Sequence, residues 1–357
     1  MFIISWSVAA VLILAGFSGA SAGAFPVLDR PSLQSGKASS AAMLSVTRVG
    51  TRVVAVGERG IVLLSDDGGA SWRQAKTPVC TTLTAVQFVG EKKGWAVGHF
   101  GVVLQTTDGG ETWVKQLDGF VVGKLMLAAA ERRAAAEQDV EKGESIISPA
   151  QRFVAEGPDK PFLNLFFLDD RTGFVFGAFN MIMRTEDGGL TWIPWGDHVE
   201  NDSELHLYGM CAAEKSLFLA GEQGLLLRSD DGGQHFTAVS SPYEGSYFGL
   251  LGSPEGTLVL YGLRGNVFHS GDAGNTWKKI DTATLVSFSA GLSLAGGGVV
   301  LVSQAGELLV SSDGSAGFKR HAAPEPVPAT GLTQSGDGNF ILSSLRGMRR
   351  VSAKDLK

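Results

Sequence analysis

"SDDGGASW" (65–72), "TTDGGETW" (106–113) and "TEDGGLTW" (185–192) are near copies of one acidic, glycine-rich turn that ends on a tryptophan. In the form S/T-x-D-x-G-x-T-W, the short Asp side chain accepts hydrogen bonds from nearby backbone N–H groups. The glycines take backbone angles that cost other residues energy, and the tryptophan then returns into a sheet and buries a large apolar surface. Six copies stand in register and carry Asp67, Asp108, Asp187, Asp231, Asp272 and Asp313. Trp72, Trp113, Trp192 and Trp277 hold the aromatic position, replaced by Phe236 and Phe318 in two weaker copies. One carboxylate per turn cannot converge on one cation, since Ca²⁺ takes roughly six to eight oxygens. The turns are expected to hold the protein itself together.

Upstream of each turn a hydrophobic strand ends on a small residue: Gly57, Gly98, Gly177, Gly221, Gly262, Ser303 and Ser344. The intervals between them are 41, 79, 44, 41, 41 and 41 residues. A second strand follows in each unit, such as "IVLLS" (61–65) or "LLLRS" (225–229), and strands such as "LTAVQFV" (83–89) complete a set of four. Four short strands in about 40 residues, repeated around the chain, are the pattern of a β-propeller blade. A β-solenoid would use shorter repeats. The expected fold is therefore all-β, a seven-bladed β-propeller over residues 25–357. The seventh unit runs out after its third strand, with Lys354 at the turn Asp position. "FPVLDRPSL" (25–33) is the expected outer strand that closes the ring, so that trimming it would sharply lower the melting temperature.

The 79-residue interval lacks a second acidic turn and holds an insertion, roughly 118–160, between blades 2 and 3. Within it "GKLMLAAAERRAAAEQDVEKG" (123–143) is rich in helix formers, with Gly143 as a stop signal. Its apolar stripe is weak, which suggests a helix that stands off the ring, either as an ornament or as an arm that docks a partner. At the N-terminus "FIISWSVAAVLILAGF" (2–17) precedes the small residues "SGASAGAF", the pattern of a secretory signal peptide spanning 1–22. No Lys or Arg precedes Arg30, a departure from that pattern that an uncleaved anchor would also explain. No Cys follows the apolar run, so no lipoprotein anchor is expected there. Cys80 and Cys211 are too few for a disulfide framework and read as buried free thiols. Hydrophobic residues at 44 % and charged ones at only 18 % exclude a disordered chain, and a net charge of −6 offers no general reason to bind nucleic acid.

The turns are similar to the Asp-box, or bacterial neuraminidase repeat, found in sialidases and in non-enzymatic propellers. The longer form, G-x-x-G-x-[hydrophobic]-x-x-[ST]-x-D-G-G-x-T-W over most of the chain, more closely resembles the photosystem II stability/assembly factor family. That resemblance implies an exported seven-bladed propeller without known catalysis that assists assembly of a membrane protein complex, peripheral to the membrane, with a functional arginine patch.

The residues beside these repeats were weighed for chemistry. Sialidases need a Tyr nucleophile with a carboxylate and an arginine cluster, and only Tyr208, Tyr243, Tyr247 and Tyr261 are present. Asp118, Glu200, Asp202 and Glu204 are the acidic loop residues that a glycosidase would draw on. A hydrolase acting on sialic-acid-like or other glycans, or a glycan-binding propeller, is the alternative reading; no catalytic residue is assigned. The histidines, His99, His198, His206, His235, His269 and His321, are scattered, and no metal or other cofactor is expected. One pattern stands out. Two residues beyond each aligned glycine or serine stand Arg59, Phe100, Phe179, Gln223, Arg264, Ala305 and Arg346, in the turn joining the second and third strands. These turns are expected on the face opposite the acidic turns. Guanidinium groups suit carboxylates, including an acidic loop or a protein C-terminus. Arg59, Arg264 and Arg346, with Phe100 and Phe179 as apolar anchors, are the expected partner-binding residues, and a membrane protein complex or its acidic segments the expected partner.

Overall fold

The computed structural model describes residues 25–322 and 326–356; the expected signal peptide lies outside them. Seven antiparallel sheets are present, six of four strands and one of three, each with its strands in chain order. In blade 1 these are Met43–Val49, Arg52–Gly57, Val62–Ser65 and Arg73–Gln74. The innermost strands of the others are Leu83–Val89, Phe162–Phe167, Leu207–Ala213, Tyr247–Gly252, Phe288–Ser293 and Ala329–Gln334. Second strands are buried nearly throughout, as "RVVAVG" (52–57) is, because both faces of each blade pack against neighbouring blades.

The small residues that set the repeat are required by close approach. A Cβ on Gly57 would stand 2.2 Å from the Ala42 carbonyl oxygen, and one on Gly98 2.1 Å from that of Thr82. In each case the backbone entering the innermost strand passes over the glycine. The second glycine of the acidic turn has another reason: it touches the preceding blade. A Cβ on Gly233 would lie 2.5 Å from the Phe174 ring, and one on Gly69 2.6 Å from Ile341 of blade 7. The aromatic of the turn fills the same seam, Trp113 packing with Leu64 and Val54 of blade 1, and Trp192 with Trp95 of blade 2.

The ring closes without a shared blade. Blade 7 has three strands, Ala329–Gln334, Phe340–Ser344 and Arg349–Val351. Residues 25–33 are not its outer strand: Pro26–Leu28 is a single 3-10 turn, and the segment runs beside residues 74–80 at the seam of blades 1 and 2. Val27 accepts from Cys80 N (2.8 Å), Thr77 accepts from Ser32 N (3.2 Å), and Leu28 is buried in the seam. Two prolines in nine residues remove the N–H groups a ladder strand needs. Closure instead uses residues 38–43. Ser39 O accepts from Met348 N (3.2 Å) and sits where a Gly347 Cβ would stand, 2.2 Å away. Thr330 Oγ1 donates to Met43 O (2.6 Å), the same bond that Thr84 makes to Phe162 O (2.8 Å) between blades 2 and 3.

The insertion forms two helices, α1 (Gly119–Ala136) and α2 (Val140–Glu156). Gly143 does not stop a helix; it lies inside α2, facing Ala134 of α1, where a Cβ would stand at ordinary contact distance, 3.7 Å from the Ala134 carbonyl oxygen. The break falls at 137–139, where Asp139 caps α2 by accepting from Glu141 N and Lys142 N. Nor does the hairpin stand off. Val122 is buried, and Leu125, Met126 and Phe153 pack on the core between blades 2 and 3. No helix among the described residues is long and apolar enough to cross a membrane.

Candidate partner-binding face

Each acidic turn is a self-contained hydrogen-bond set. Asp67 Oδ1 accepts from Ser65 Oγ (2.7 Å), Ala70 N (3.1 Å) and Ser71 N (2.9 Å), and Oδ2 accepts from Ser71 Oγ (2.5 Å). Ser65 Oγ in turn accepts from Gly69 N (2.8 Å). Asp108, Asp187, Asp231 and Asp272 repeat the scheme, and Asp313 keeps only the backbone donors of Ser315 and Ala316. These donors favour the charged form. The Thr276 hydroxyl and amide bring Asp272 down to about 2 from 3.8, and the Ser71 hydroxyl holds Asp67 well below the usual carboxylate range. At Asp108 and Asp187 partial burial pulls upward, and the hydrogen bonds from Thr112 and Thr191 outweigh it. The carboxylates are consumed within their own turns. A further such Asp, Asp337, accepts from Ser335 Oγ (2.6 Å) in the first turn of blade 7, out of register and therefore missed by the repeat.

The turns between second and third strands project from the opposite face, together with the connections that lead from one blade to the next. Arg59 (φ 55°), Phe100 (φ 59°), Phe179 (φ 54°), Gln223 (φ 51°) and Arg264 (φ 56°) all adopt the left-handed conformation. Such a non-glycine residue is costly, and its repetition shows that the turn imposes it. Arg59, Arg264 and Arg346 are exposed, and none makes an ion pair with another described residue. Glu58 makes no ion pair with Arg59; its Oε1 accepts from Ala42 N (3.0 Å). Blades 7 and 1 adjoin, so Arg346 and Arg59 stand on either side of the closure, with Arg264 two blades before Arg346. The two phenylalanines differ. Phe179 is 56 % exposed, whereas Phe100 is half-buried beneath Phe25, with ring centroids 5.7 Å apart, so the exposed anchor expected there is absent. The N-terminal segment that missed blade 7 is what covers it.

The other candidates are held in structural roles or left apart. Asp118 caps α1, accepting from Phe120 N and Val121 N (3.1 Å each), and Glu200 accepts from Ala238 N (2.7 Å). Asp202 and Glu204 are exposed on the loop from blade 3 to blade 4. Tyr208 lines the mouth of a central channel of about 380 Å³ and donates to Glu222 Oε1 (3.3 Å). Burial and the Glu222 charge push its phenol up to about 12, the opposite of what a phenolate nucleophile needs. Tyr247 shares a hydrogen bond with Ser241 (2.7 Å), Tyr243 stacks on Phe268, and Tyr261 is buried with its phenol pushed up. His198 stacks on Trp195 at 3.8 Å, while His206 meets Phe179 edge-on at 4.7 Å. No group of His, Cys, Asp or Glu among the described residues is placed to hold a metal ion. Both cysteines are free; Cys211 is buried and its thiol pushed up, but Cys80 is only half-buried.

Comparison with known proteins sets these features in context. The family profile of photosynthesis system II assembly factor YCF48 matches residues 50–144 and 152–347, skipping only a short stretch of α2. Photosystem II assembly lipoprotein Ycf48 of Synechococcus sp. (strain CC9902) is 29 % identical over 120 residues, 32 % of this chain and 35 % of that protein. The aligned segment thus spans about a third of this relative. Among solved structures, YCF48 bound to D1 peptide is similar with a TM-score of 0.63 at 17 % identity, covering 90 % of this chain and 96 % of that one. YCF48 from Cyanidioschyzon merolae gives 0.62 at 13 % identity, covering 88 % and 97 %. The WD40 propeller domain of Doa1 gives 0.62 at 11 %, covering 92 % and 96 %.

Proposed function

Because this chain belongs to the photosynthesis system II assembly factor YCF48 family, we propose that it is a non-catalytic, exported propeller that binds a membrane protein complex and helps to assemble or stabilise it. The observation that carries the reading is the face bearing Arg59, Arg264 and Arg346. Three exposed guanidiniums stand on rigid turns of one face, without carboxylate partners among the described residues. Arginines without carboxylate partners are free to form paired hydrogen bonds to a carboxylate, from backbone positions that the turns hold in place. A partner therefore presents acidic side chains or a C-terminal carboxylate, and Phe179 adds an exposed apolar contact. A similar propeller, YCF48, has been solved holding a D1 peptide, and we carry peptide binding to this chain as part of the proposal. The apolar run at 2–17 directs export, and the protein works at a membrane surface without spanning it.

The test is affinity capture from detergent-solubilised membranes with the mature protein as bait. The comparison is an Arg59→Ala/Arg264→Ala/Arg346→Ala variant of equal melting temperature. Wild type is expected to retain a defined membrane protein complex that the variant loses. Equal retention by both would discard the arginine face. Hydrolysis of a fluorogenic glycoside panel by the wild type would overturn the non-catalytic reading.

A further inference from the structure

The partner-binding face carries a second feature that the arginines do not use. A cleft of about 910 Å³ separates the helical hairpin from blade 3 and the loop leading to blade 4. Met126, Ala130 and Ile146 form its helical wall; Phe179, Ile193 and Pro194 form the other. Phe179 and Ile193 are 56 % and 49 % exposed, apolar surface left open to solvent although His206 meets one edge of the Phe179 ring. Arg133 bridges to Asp197 (3.3 Å) and ties the hairpin to the loop. The lip of the cleft is acidic. Asp202 and Glu204 are exposed and make no ion pair with another described residue, and Arg132 across the cleft leaves the lip net negative. The loop that bears them is fixed. Asn201 is buried, donates to Leu205 O (2.9 Å) and Asn180 Oδ1 (3.2 Å), and accepts from Leu205 N (3.0 Å).

Around a seven-blade ring, blades 3 and 4 lie opposite the junction of blades 7 and 1. The cleft therefore stands across the channel mouth from Arg346 and Arg59. From the cleft an aromatic line runs round to blade 5, from Phe179 to His206 (4.7 Å), to Tyr208 (6.3 Å) and to Phe248 (5.8 Å). Arg346 and Arg59 make one side of the face cationic, Arg264 of blade 5 lies between, and the cleft on the other side is apolar with an anionic lip.

We infer that the cleft docks an extended peptide segment of apolar side chains with one or two Lys or Arg, whose cations sit at Asp202 and Glu204. This extends the arginine-face reading, because a segment whose acidic end lies at Arg346 and Arg59 can cross the mouth and enter the cleft in only one direction. Apolar burial supplies affinity, and the charges set register and direction.

Two short fluorescent probes separate the halves by anisotropy titration against the mature protein. One is built of Leu, Phe and Lys with an amidated C-terminus; the other is built of Asp, Glu and Ser with a free one. Asp202→Asn/Glu204→Gln is expected to weaken the cationic probe about tenfold and leave the acidic probe unchanged. A probe with Ser in place of Leu and Phe binds more weakly still, because the apolar walls are then unused. The arginine triple variant does the converse, losing only the acidic probe. Unchanged binding of the cationic probe to the Asp202/Glu204 variant, or no binding to the wild type, overturns the inference. If the wild type binds the cationic probe but not the acidic one, the arginine reading fails and the cleft stands.

Discussion

At the residue scale, the paired glycines of the acidic turn are not equivalent, although the sequence writes them alike. Gly232 (φ +74°) has open space where a Cβ would go, while Gly233 (φ +83°) has the Phe174 ring there at 2.5 Å. Gly232→Ala should cost only the left-handed backbone, about 1 kcal/mol. Gly233→Ala adds overpacking of about 1–3 kcal/mol against the neighbouring blade. Urea midpoints at constant m-value measure the difference, and equal losses would remove the blade-contact explanation. The turn aspartates make a pH prediction. Their folded pKa values are depressed, Asp272 to about 2 from 3.8, so their stabilisation is complete above the unfolded value and drains as pH falls through the folded ones. Melting temperature should be level with respect to these groups above pH 5 and fall steeply from about pH 4 to 2. A curve that is flat across that window would contradict the hydrogen-bond sets described above.

At the element scale, the helical hairpin is part of the propeller core at its base and lies open at its turn. Val122→Ala removes buried methyls between blades 2 and 3 and should destabilise by about 1–3 kcal/mol. Val140, 75 % exposed at the start of α2, should tolerate Ala within about 0.5 kcal/mol. Chemical denaturation of the two variants checks the pair; similar losses would mean that the hairpin packs differently. The weak apolar stripe of α1 is explained by this placement. Its buried residues, Gly119, Val122, Gly123 and Ala130, share one face, but close approach of Pro158 and of Val154 of α2 keeps that face to small side chains that add little apolar contrast.

At the scale of the whole molecule, closure is a matter of the seventh seam. Blades support their neighbours through recurring glycine contacts and, at the seams of blades 2 and 3 and of blades 7 and 1, a Thr-to-carbonyl bond. The last seam reuses them with residues 38–43 in place of an inter-blade connection. Trimming through residue 36 should lower the melting temperature by exposing the seam of blades 1 and 2 where Leu28 packs. Trimming through residue 42 should do far more, because it opens the ring. Differential scanning calorimetry of the two truncations decides it, and equal losses would show that 38–43 do not close the propeller.

The seven-fold repeat was legible along the chain because its turn and strand pattern recurs about every 41 residues, and the insertion and the register of Arg59, Arg264 and Arg346 were legible against that repeat. Turn chemistry and strand alternation need no knowledge of what lies across the ring. What packs against what was not local. Residues 25–33 looked like an edge strand, yet two prolines and the apolar pocket at Phe100 sent them to another seam. Gly143 looked like a helix stop, yet the chain breaks earlier and a second helix capped by Asp139 runs through it. The cleft beside Asp202 and Glu204 joins residues near 130 to residues near 200. Such juxtapositions come from packing of distant surfaces, which a one-dimensional pattern does not encode.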